Sequence, residues 1–527
     1  MSPRRSSPKH SVLLLLLLAV APVRSAADAA PPERRAEHAA RDPGRSAADL
    51  DAAPGRRAEY AARDAGRSAA DVNAAAPGRR AEYAAREPDL HLLPPSSMTA
   101  TGLDPSERGD GARRFALPAV EALGVHTLMV SWNRWVGAAP WGDVSADSIG
   151  RNLRSRWVLD DDPFWVNQFG HPYQGTWAFT AARSAGLGFW TAASYSFAAS
   201  ALWEIAGETE RPARNDQITT PVAGVVLGEV LTRFSDALRA EGGPWRDAAA
   251  SVLSPMSAVN RRLRGATAPL EAPASRWELS MAAASGTGSE GAWHGRAGFA
   301  FTWGLPGDPD LELARPFDHF VLEAAYGFAA DPDATVRGRG LIAGKSFHPT
   351  RAVRGLWGLF LSFDLDTPGP YRVSTSAVGA GASGRADLGG GWALEAGLHG
   401  GAVLLGAAGS VARGPDGAGR DYLMGPGAQS LVDVALLAGT RGRAGVTLRQ
   451  YLVLGEGEPG GTALLLEASA GATLRIVGAS AIAVEVTRRV RRVQDATRHA
   501  DTAVQLSYVL LGGASPGVPE AASADDL

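Results

Sequence analysis

The 527-residue chain contains no cysteine. That excludes disulfides, thiol catalysis, Cys-ligated zinc and an N-terminal lipid-modified cysteine together. Charge is also scarce: Asp, Glu, Lys and Arg make up 20% of the residues, with a formal net charge of −3. No basic surface therefore invites a nucleic-acid partner. Between residues 116 and 265 there is no G-x-S-x-G elbow and no H-E-x-x-H pair, so two common hydrolase signatures are missing from the segment richest in costly polar residues.

What is present points to the cell envelope. Gly is abundant at 63 residues and Trp (14) nearly equals Phe (15), a balance that suits a β-rich envelope protein. Arg4, Arg5 and Lys9 precede the apolar run Val12 to Val20, and Ala27-Asp28-Ala29 offers a small-residue cleavage site. Residues 1–29 read as a secretory signal peptide, because the apolar run is too short to span a bilayer comfortably. Residues 30–115 read as a disordered linker with a repeat of 22–23 residues. The block Arg34 to Arg41 recurs at Arg56 to Arg63 and at Arg79 to Arg86. A solenoid unit must bury an apolar face against its neighbour, and Ala with a single ring cannot supply one.

Residues 116–265 read as a small membrane-associated helical domain. Leu187 to Trp203 carries no charge over a length approaching a membrane span, bounded by Arg183 before it and by Glu204 and Glu208 after it. Short helices are expected over Ala116 to Trp135, with a turn or helix N-cap over Asp143 to Asp147. Thr220-Pro221 reads as cap and first residue of a later helix, on which Glu229 and Arg233 lie one turn apart. A further helix is expected over Arg246 to Leu253, and residues 266–275, rich in Ala and Pro, read as a linker.

From Trp277 onward the apolar period becomes two. Leu464, Leu466, Ala468, Ala470, Ala472 and Leu474 alternate with Glu467, Ser469, Gly471, Thr473 and Arg475. About twelve strands are expected: 276–285, 292–304, 317–328, 335–346, 352–366, 371–387, 392–407, 429–441, 443–455, 462–475, 479–494 and 500–512. Strand length and an even count fit an antiparallel transmembrane β-barrel over 276–512, followed by a disordered tail over 513–527. Glu323, Arg449, Glu467, Arg475 and Glu485 fall in the polar register that would face a lumen. Trp277, Trp303, Phe317, Phe363, Tyr371, Trp392 and Tyr451 are candidates for interfacial girdles. The fold class is thus α+β, a small helical domain followed by a barrel.

The most informative polar stretch runs from Asp160 to Arg233. Its pattern is Trp157…Asp160-x-Asp162-x-Phe164…Asn167-Gln-Phe-x-His171-Pro-Tyr-x-Gly175, then Ala182-Arg183-Ser-x-Gly186…Phe189-Trp190. It closes on Trp203-Glu204…Gly207-Glu208 and Asn215-Asp216…Gly228-Glu229. On these positions, residues of about 125–240 resemble an uncharacterised bacterial envelope family, domain of unknown function 3943. The resemblance implies an exported, membrane-associated protein with a β-rich C-terminal half, and brings no activity with it.

Four readings compete for these residues. In the structural one, Asp160, Asp162, Asn167, Arg183, Asn215, Glu229 and Arg233 form a polar network that fixes the packing of helices. In the catalytic one, His171 is the general base of a membrane-lipid-directed hydrolase, oriented by Asp160, Asp162 or Asp216, with Ser194 or Thr219 as nucleophile; Glu204 and Glu208 are further catalytic candidates. In the metal reading, His171, Glu204, Glu208 and Asp216 are ligands. In the transport reading, a charged lumen passes a solute and the helices gate or plug it. The composite expectation is a protein of the bacterial outer membrane with its helical domain on the periplasmic side and a structural or transport role. No cofactor is implied. The expected partners are outer-membrane lipid and a small solute or lipid ligand.

Overall fold

The computed structural model describes residues 111–513, apart from 138, 241, 265–272, 274, 287–292, 329–332, 370, 410–419 and 495–497. The expected signal peptide, the repeats and the tail beyond Gly513 lie outside the described residues.

Seven α-helices are described: α1 (Gly111–Trp135), α2 (Ala146–Asn152), α3 (His171–Ser184), α4 (Phe189–Ala206), α5 (Asp216–Ala240), α6 (Pro244–Leu253) and α7 (Pro255–Arg264). Instead of short helices, the first segment forms one helix of 25 residues, which continues past its internal Pro118. The expected N-cap falls on Ser145, which exchanges hydrogen bonds with Ser148 in a capping box at the start of α2. Thr220-Pro221 does not start a helix. The turn forms earlier, where the Asn215 carbonyl accepts from both the backbone N–H and the Oγ1 of Thr219. Pro221, already inside α5, forfeits only one backbone bond.

Twelve strands follow: β1 (Ser275–Gly286), β2 (Trp293–Trp303), β3 (Phe320–Phe328), β4 (Ala334–Phe347), β5 (Val353–Asp366), β6 (Val373–Gly389), β7 (Trp392–Ala408), β8 (Leu423–Ala438), β9 (Gly442–Gly455), β10 (Gly461–Val477), β11 (Ser480–Val493) and β12 (His499–Gly513). Each pairs antiparallel with its sequence neighbours, and β1 closes on β12 from Arg276↔Gly513 to Gly286↔Ala503. The result is a closed 12-strand barrel, which leaves no unpaired sheet edge. One rim holds the start of β1, the end of β12 and the tight turns β6–β7, β8–β9 and β10–β11; it is called the turn rim below. It also holds the long connection 304–319 between β2 and β3. The opposite loop rim holds the β5–β6, β7–β8 and β9–β10 connections.

Period two sorts the side chains. Ion pairs join Arg337 on β4 to Glu467 on β10 and Arg449 on β9 to Glu323 on β3, across the barrel interior, so this register faces the lumen. Glu485 also lines the cavity there. The opposite register faces outward and divides into two sectors. On β9 to β12 the outward residues are exposed, among them Val446, Leu464, Ile482 and Leu506. On β2 to β5 the outward residues Phe299, Phe301, Trp303, Phe320, Phe363 and Leu365 are buried.

The helices cover that second sector. Phe234 of α5 packs on Phe301 at a centroid distance of 4.4 Å, Phe189 of α4 packs on Phe317, and Val226 of α5 lies over Gly338. α5 is buried along nearly its whole length, with the barrel on one side and α3, α4 and α6 on the others. Among the described residues no helix residue lines the lumen cavity, so the expectation that helices plug the barrel is corrected. The girdle expectation changes as well. Trp277, Trp303 and Phe363 are covered, Phe317 sits in the 304–319 connection, and Tyr371 and Tyr451 belong to an apolar cluster inside the barrel. Trp392 remains exposed.

Candidate functional site

The first polar cluster lies where the helices meet the loop rim, and Asp160 is its centre. Its Oδ1 accepts from Asn167 Nδ2 at 2.6 Å and from the Asp162 backbone at 3.2 Å. Its Oδ2 accepts from Asn215 Nδ2 at 3.0 Å. Asn215 Oδ1 in turn accepts from the Asp160 backbone at 3.1 Å. The same Asn215 Nδ2 also donates to Asp216 Oδ1 at 3.0 Å, so one amide bridges the two carboxyl groups. The barrel contributes Tyr422, whose hydroxyl accepts from Asn167 and donates to the Asp162 carbonyl, both at 2.9 Å. Arg420 donates to the Asp160 carbonyl at 2.8 Å.

The catalytic candidates only partly converge. His171 Nε2 lies 3.7 Å from Asp216 Oδ2 and 3.9 Å from Asp162 Oδ2, close enough for ion pairing but beyond hydrogen-bond reach. Glu204 turns away, its Oε2 accepting from the Ala213 backbone at 2.6 Å. The Ser194 hydroxyl is exposed and donates to the Thr191 carbonyl at 2.7 Å, and the Thr219 hydroxyl donates to the Asn215 carbonyl at 2.9 Å. Among the described residues no hydroxyl hydrogen-bonds His171 and no group of three or more His, Asp or Glu side chains could hold a metal ion. The set His171, Glu204, Glu208 and Asp216 is therefore not a ligand sphere.

Two carboxyls in the connecting loops titrate in opposite directions. Burial pushes Glu208 up, and the nearby Glu204, Glu210, Asp162 and Asp160 carboxylates add to it, to about 9. Burial also acts to raise Asp160, but the hydrogen bonds from Asp216, Asn215, Asn167 and the Asp162 backbone outweigh it and hold it below the ordinary carboxylate value.

A second cluster joins the helices to the 304–319 connection. Glu229, fully buried, receives Arg183 Nε at 2.7 Å and Arg233 Nε at 2.9 Å. Arg233 continues to Asp318 Oδ1 at 3.3 Å and to the Pro316 carbonyl at 2.7 Å. Asp318 holds its own turn through the backbone N–H groups of Ala314 and Arg315. Phe317, between these anchors, adopts a positive φ of 64°. Further back, Leu311 packs with Leu341, Leu356 and Phe360, while Leu305 and Pro306 line the lumen cavity. The connection therefore touches the helices at one end and the lumen at the other.

The third site is the barrel lumen. It holds a cavity of about 1160 Å³ lined by Arg276 and Glu395 near the turn rim and by Arg296, Asp333 and His499 near the loop rim. At mid-height Glu467 receives Arg337 at 2.7 Å, Arg489 at 2.9 Å and Arg449 at 3.5 Å. Arg337 also reaches Asp366 at 2.6 Å, and Arg449 reaches Glu323 at 2.9 Å. Beside this network, Tyr371, Val373, Leu423, Tyr451, Val453 and Leu465 form an apolar plug in one half of the loop rim. Arg337, Arg489 and Asp366 are not among the lumen residues read from sequence. The signal was available, because Arg337 and Arg339 alternate with Val336 and Gly338.

No curated protein matches the chain in sequence. Among solved structures the chain is similar to the KdgM porin, at 8% identity and a TM-score of 0.23, over 44% of this chain and 98% of that one. It is similar to the NanC porin at 6% identity and 0.26, over 44% and 98%. It is similar to the outer membrane channel DcaP of Acinetobacter baumannii at 8% identity and 0.22, over 45% and 96%. The barrel follows from its own strand pairing, closed between β1 and β12. Residues 156–256, from the end of α2 into α7 and including both polar clusters of the helices, match the domain of unknown function DUF3943.

Proposed function

We propose that this protein is an outer-membrane barrel whose lumen passes a small polar or charged solute, with the helices bracing the barrel wall and the 304–319 connection. The observation that carries this reading is the 1160 Å³ cavity, which is lined by charged side chains near both rims of a closed barrel. A barrel of about eight strands is filled by its own side chains, whereas twelve strands leave room for a cavity. The short turns favour a periplasmic placement of the turn rim, since outer-membrane barrels keep short turns on that side.

The polar residues of the helices fit a structural role within this reading. Glu229 and Asp318 together balance the buried Arg183 and Arg233, and Asp160 accepts from Asn167 and Asn215 at the loop rim. Burying such groups is costly unless they are paired, and paired networks favour one packing geometry. A lipid-directed hydrolase using His171 is the competing reading, and it lacks an aligned nucleophile among the described residues.

Solute flux tests the proposal. Proteoliposomes carrying the folded protein should swell in isotonic solutions of small charged or polar solutes faster than protein-free vesicles. Equal rates for every solute would remove the transport reading. Unchanged lipid composition on prolonged incubation is expected for both wild type and His171→Ala, and a lipid cleavage lost in His171→Ala would favour the hydrolase instead.

A further inference from the structure

The outward faces of the barrel are apolar in both sectors, but different material covers them. On β9 to β12, Val446, Ile482 and Leu506 are 50–56% exposed. This is the face that lipid covers in a membrane barrel. On β2 to β5, residues of the same outward register, such as Phe301 and Phe363, are buried beneath α5. α5 therefore occupies the position of lipid on that side. It also runs the height of the wall. Beside its start, Arg214 pairs with Glu456 at the loop rim, and Arg233 near its end pairs with Asp318 at the turn rim. At 1.5 Å per residue the helix covers roughly 25–30 Å between these anchors, about the height of a barrel's apolar band.

The outer surface of the helices continues the same chemistry. α1 is long and apolar enough to cross a membrane by length and composition. It exposes Val120 at 64%, Leu128 at 71% and Trp132 at 63%, and α4 adds Phe197 at 43%. Trp135 and Arg134 stand at its C-terminal end, the pairing of aromatic and basic residues found at membrane interfaces. Inside the bundle, packing follows the small-residue pattern of membrane helices. A Cβ at Gly224 would come within 2.7 Å of the Gly175 backbone, so α3 and α5 cross almost in contact. Hydroxyls are spent internally, with Thr180, Ser184 and Thr232 each donating to a carbonyl four residues back.

We infer that the helices lie within the bilayer beside the barrel, with lipid acyl chains covering the exposed faces of α1 and α4. This is an alternative to the periplasmic placement read from sequence, and it rests on the reading of the barrel as membrane-spanning. The outward apolar face then forms one lipid-covered perimeter, made of strands on one side and helices on the other.

The cysteine-free chain makes the test direct. Nitroxide labels on Leu128→Cys, Val120→Cys and Phe197→Cys are compared in the full-length protein in bilayers with labels on Leu506→Cys and Asp310→Cys. Collision with oxygen and with a water-soluble nickel chelate is measured for each. The inference expects positions 128, 120 and 197 to behave like 506, with at least a several-fold preference for oxygen. Nickel access like that of 310 would overturn it by placing the helices in water. Protection from both reagents would overturn lipid as the occupant and point to a second protein surface. If 506 itself faces water, the membrane-barrel reading fails, which is a different result. Heat-modifiable migration identifies variants that have not folded, and the use of two positions on α1 keeps the test decisive if one is lost.

Discussion

At the scale of single residues, the protein keeps charges in dry places by pairing them, and the exceptions are informative. Glu208 has no ion pair or hydrogen bond to its carboxylate among the described residues and is held at about 9 in the fold, against 4.5 as the ordinary value. The sign follows directly. Below pH 4.5 the group is neutral both folded and unfolded; between 4.5 and 9 only the unfolded chain ionises, so stability falls as pH rises; above 9 the loss is complete. Glu208→Gln is expected to stabilise the protein at pH 8, by about 1 kcal/mol or more, and to do nothing at pH 4. Urea midpoints at the two pH values check it, and an equal shift at both would contradict it. His171 sits 3.7 Å from Asp216 in the same cluster. His171→Ala is expected to lower the unfolding midpoint modestly, by on the order of 1 kcal/mol, without changing solute flux; loss of flux in a fully folded variant would count against a structural role.

At the scale of elements, the α3–α5 crossing and the 304–319 connection are the positions least tolerant of change. A Cβ on Gly175 would run into the Thr220 carbonyl, backbone that cannot move aside. Gly175→Ala is expected to cost on the order of 2 kcal/mol or more, read as a lower urea midpoint of heat-modifiable migration, whereas Gly186→Ala, where a Cβ meets nothing, is limited to the strain of its φ of 86°. Arg233 ties α5 to the connection whose inner part lines the lumen. Arg233→Ala leaves Glu229 and Asp318 short of a buried partner, at a cost of roughly 3–5 kcal/mol. Where it still folds, the freed connection should make single-channel currents noisier. Unchanged current noise would show that the helices do not position that connection.

The strands were legible because the period of two survives at nearly every outward position. Expected and observed bounds agree within a few residues except at β8, which starts at Leu423. Met424-Gly425-Pro426-Gly427 looks like a turn in sequence, but Gly425 and Gly427 allow close approach to the carbonyls of Leu454 and Leu452 inside the ladder. The inward direction of Tyr451 was also legible, since it shares parity with Arg449. The covering of β2 to β5 was not. Phe301 and Phe363 are equally suitable against lipid and against a helix, so no local pattern separates the two. The candidate site divides the same way. The Glu229–Arg233 pair follows from helical spacing alone, while the approach of His171 to Asp216 and of Tyr422 to Asn167 depends on how distant segments dock.

Taken whole, the molecule is a barrel with a charged lumen and an apolar perimeter shared between strands and helices. In the proposed function the lumen carries solute past the ion pairs around Glu467. Three arginines converge on that carboxylate, so Glu467→Gln leaves one positive charge uncompensated at mid-height without emptying the lumen. The most direct test is the reversal potential of single channels in a planar bilayer under a salt gradient, measured for wild type and for Glu467→Gln. Discrete conductance steps are expected in both, with the variant shifted toward anion preference. A folded, heat-modifiable protein that gives no steps above the bare bilayer, or a variant with an unchanged reversal potential, would contradict it.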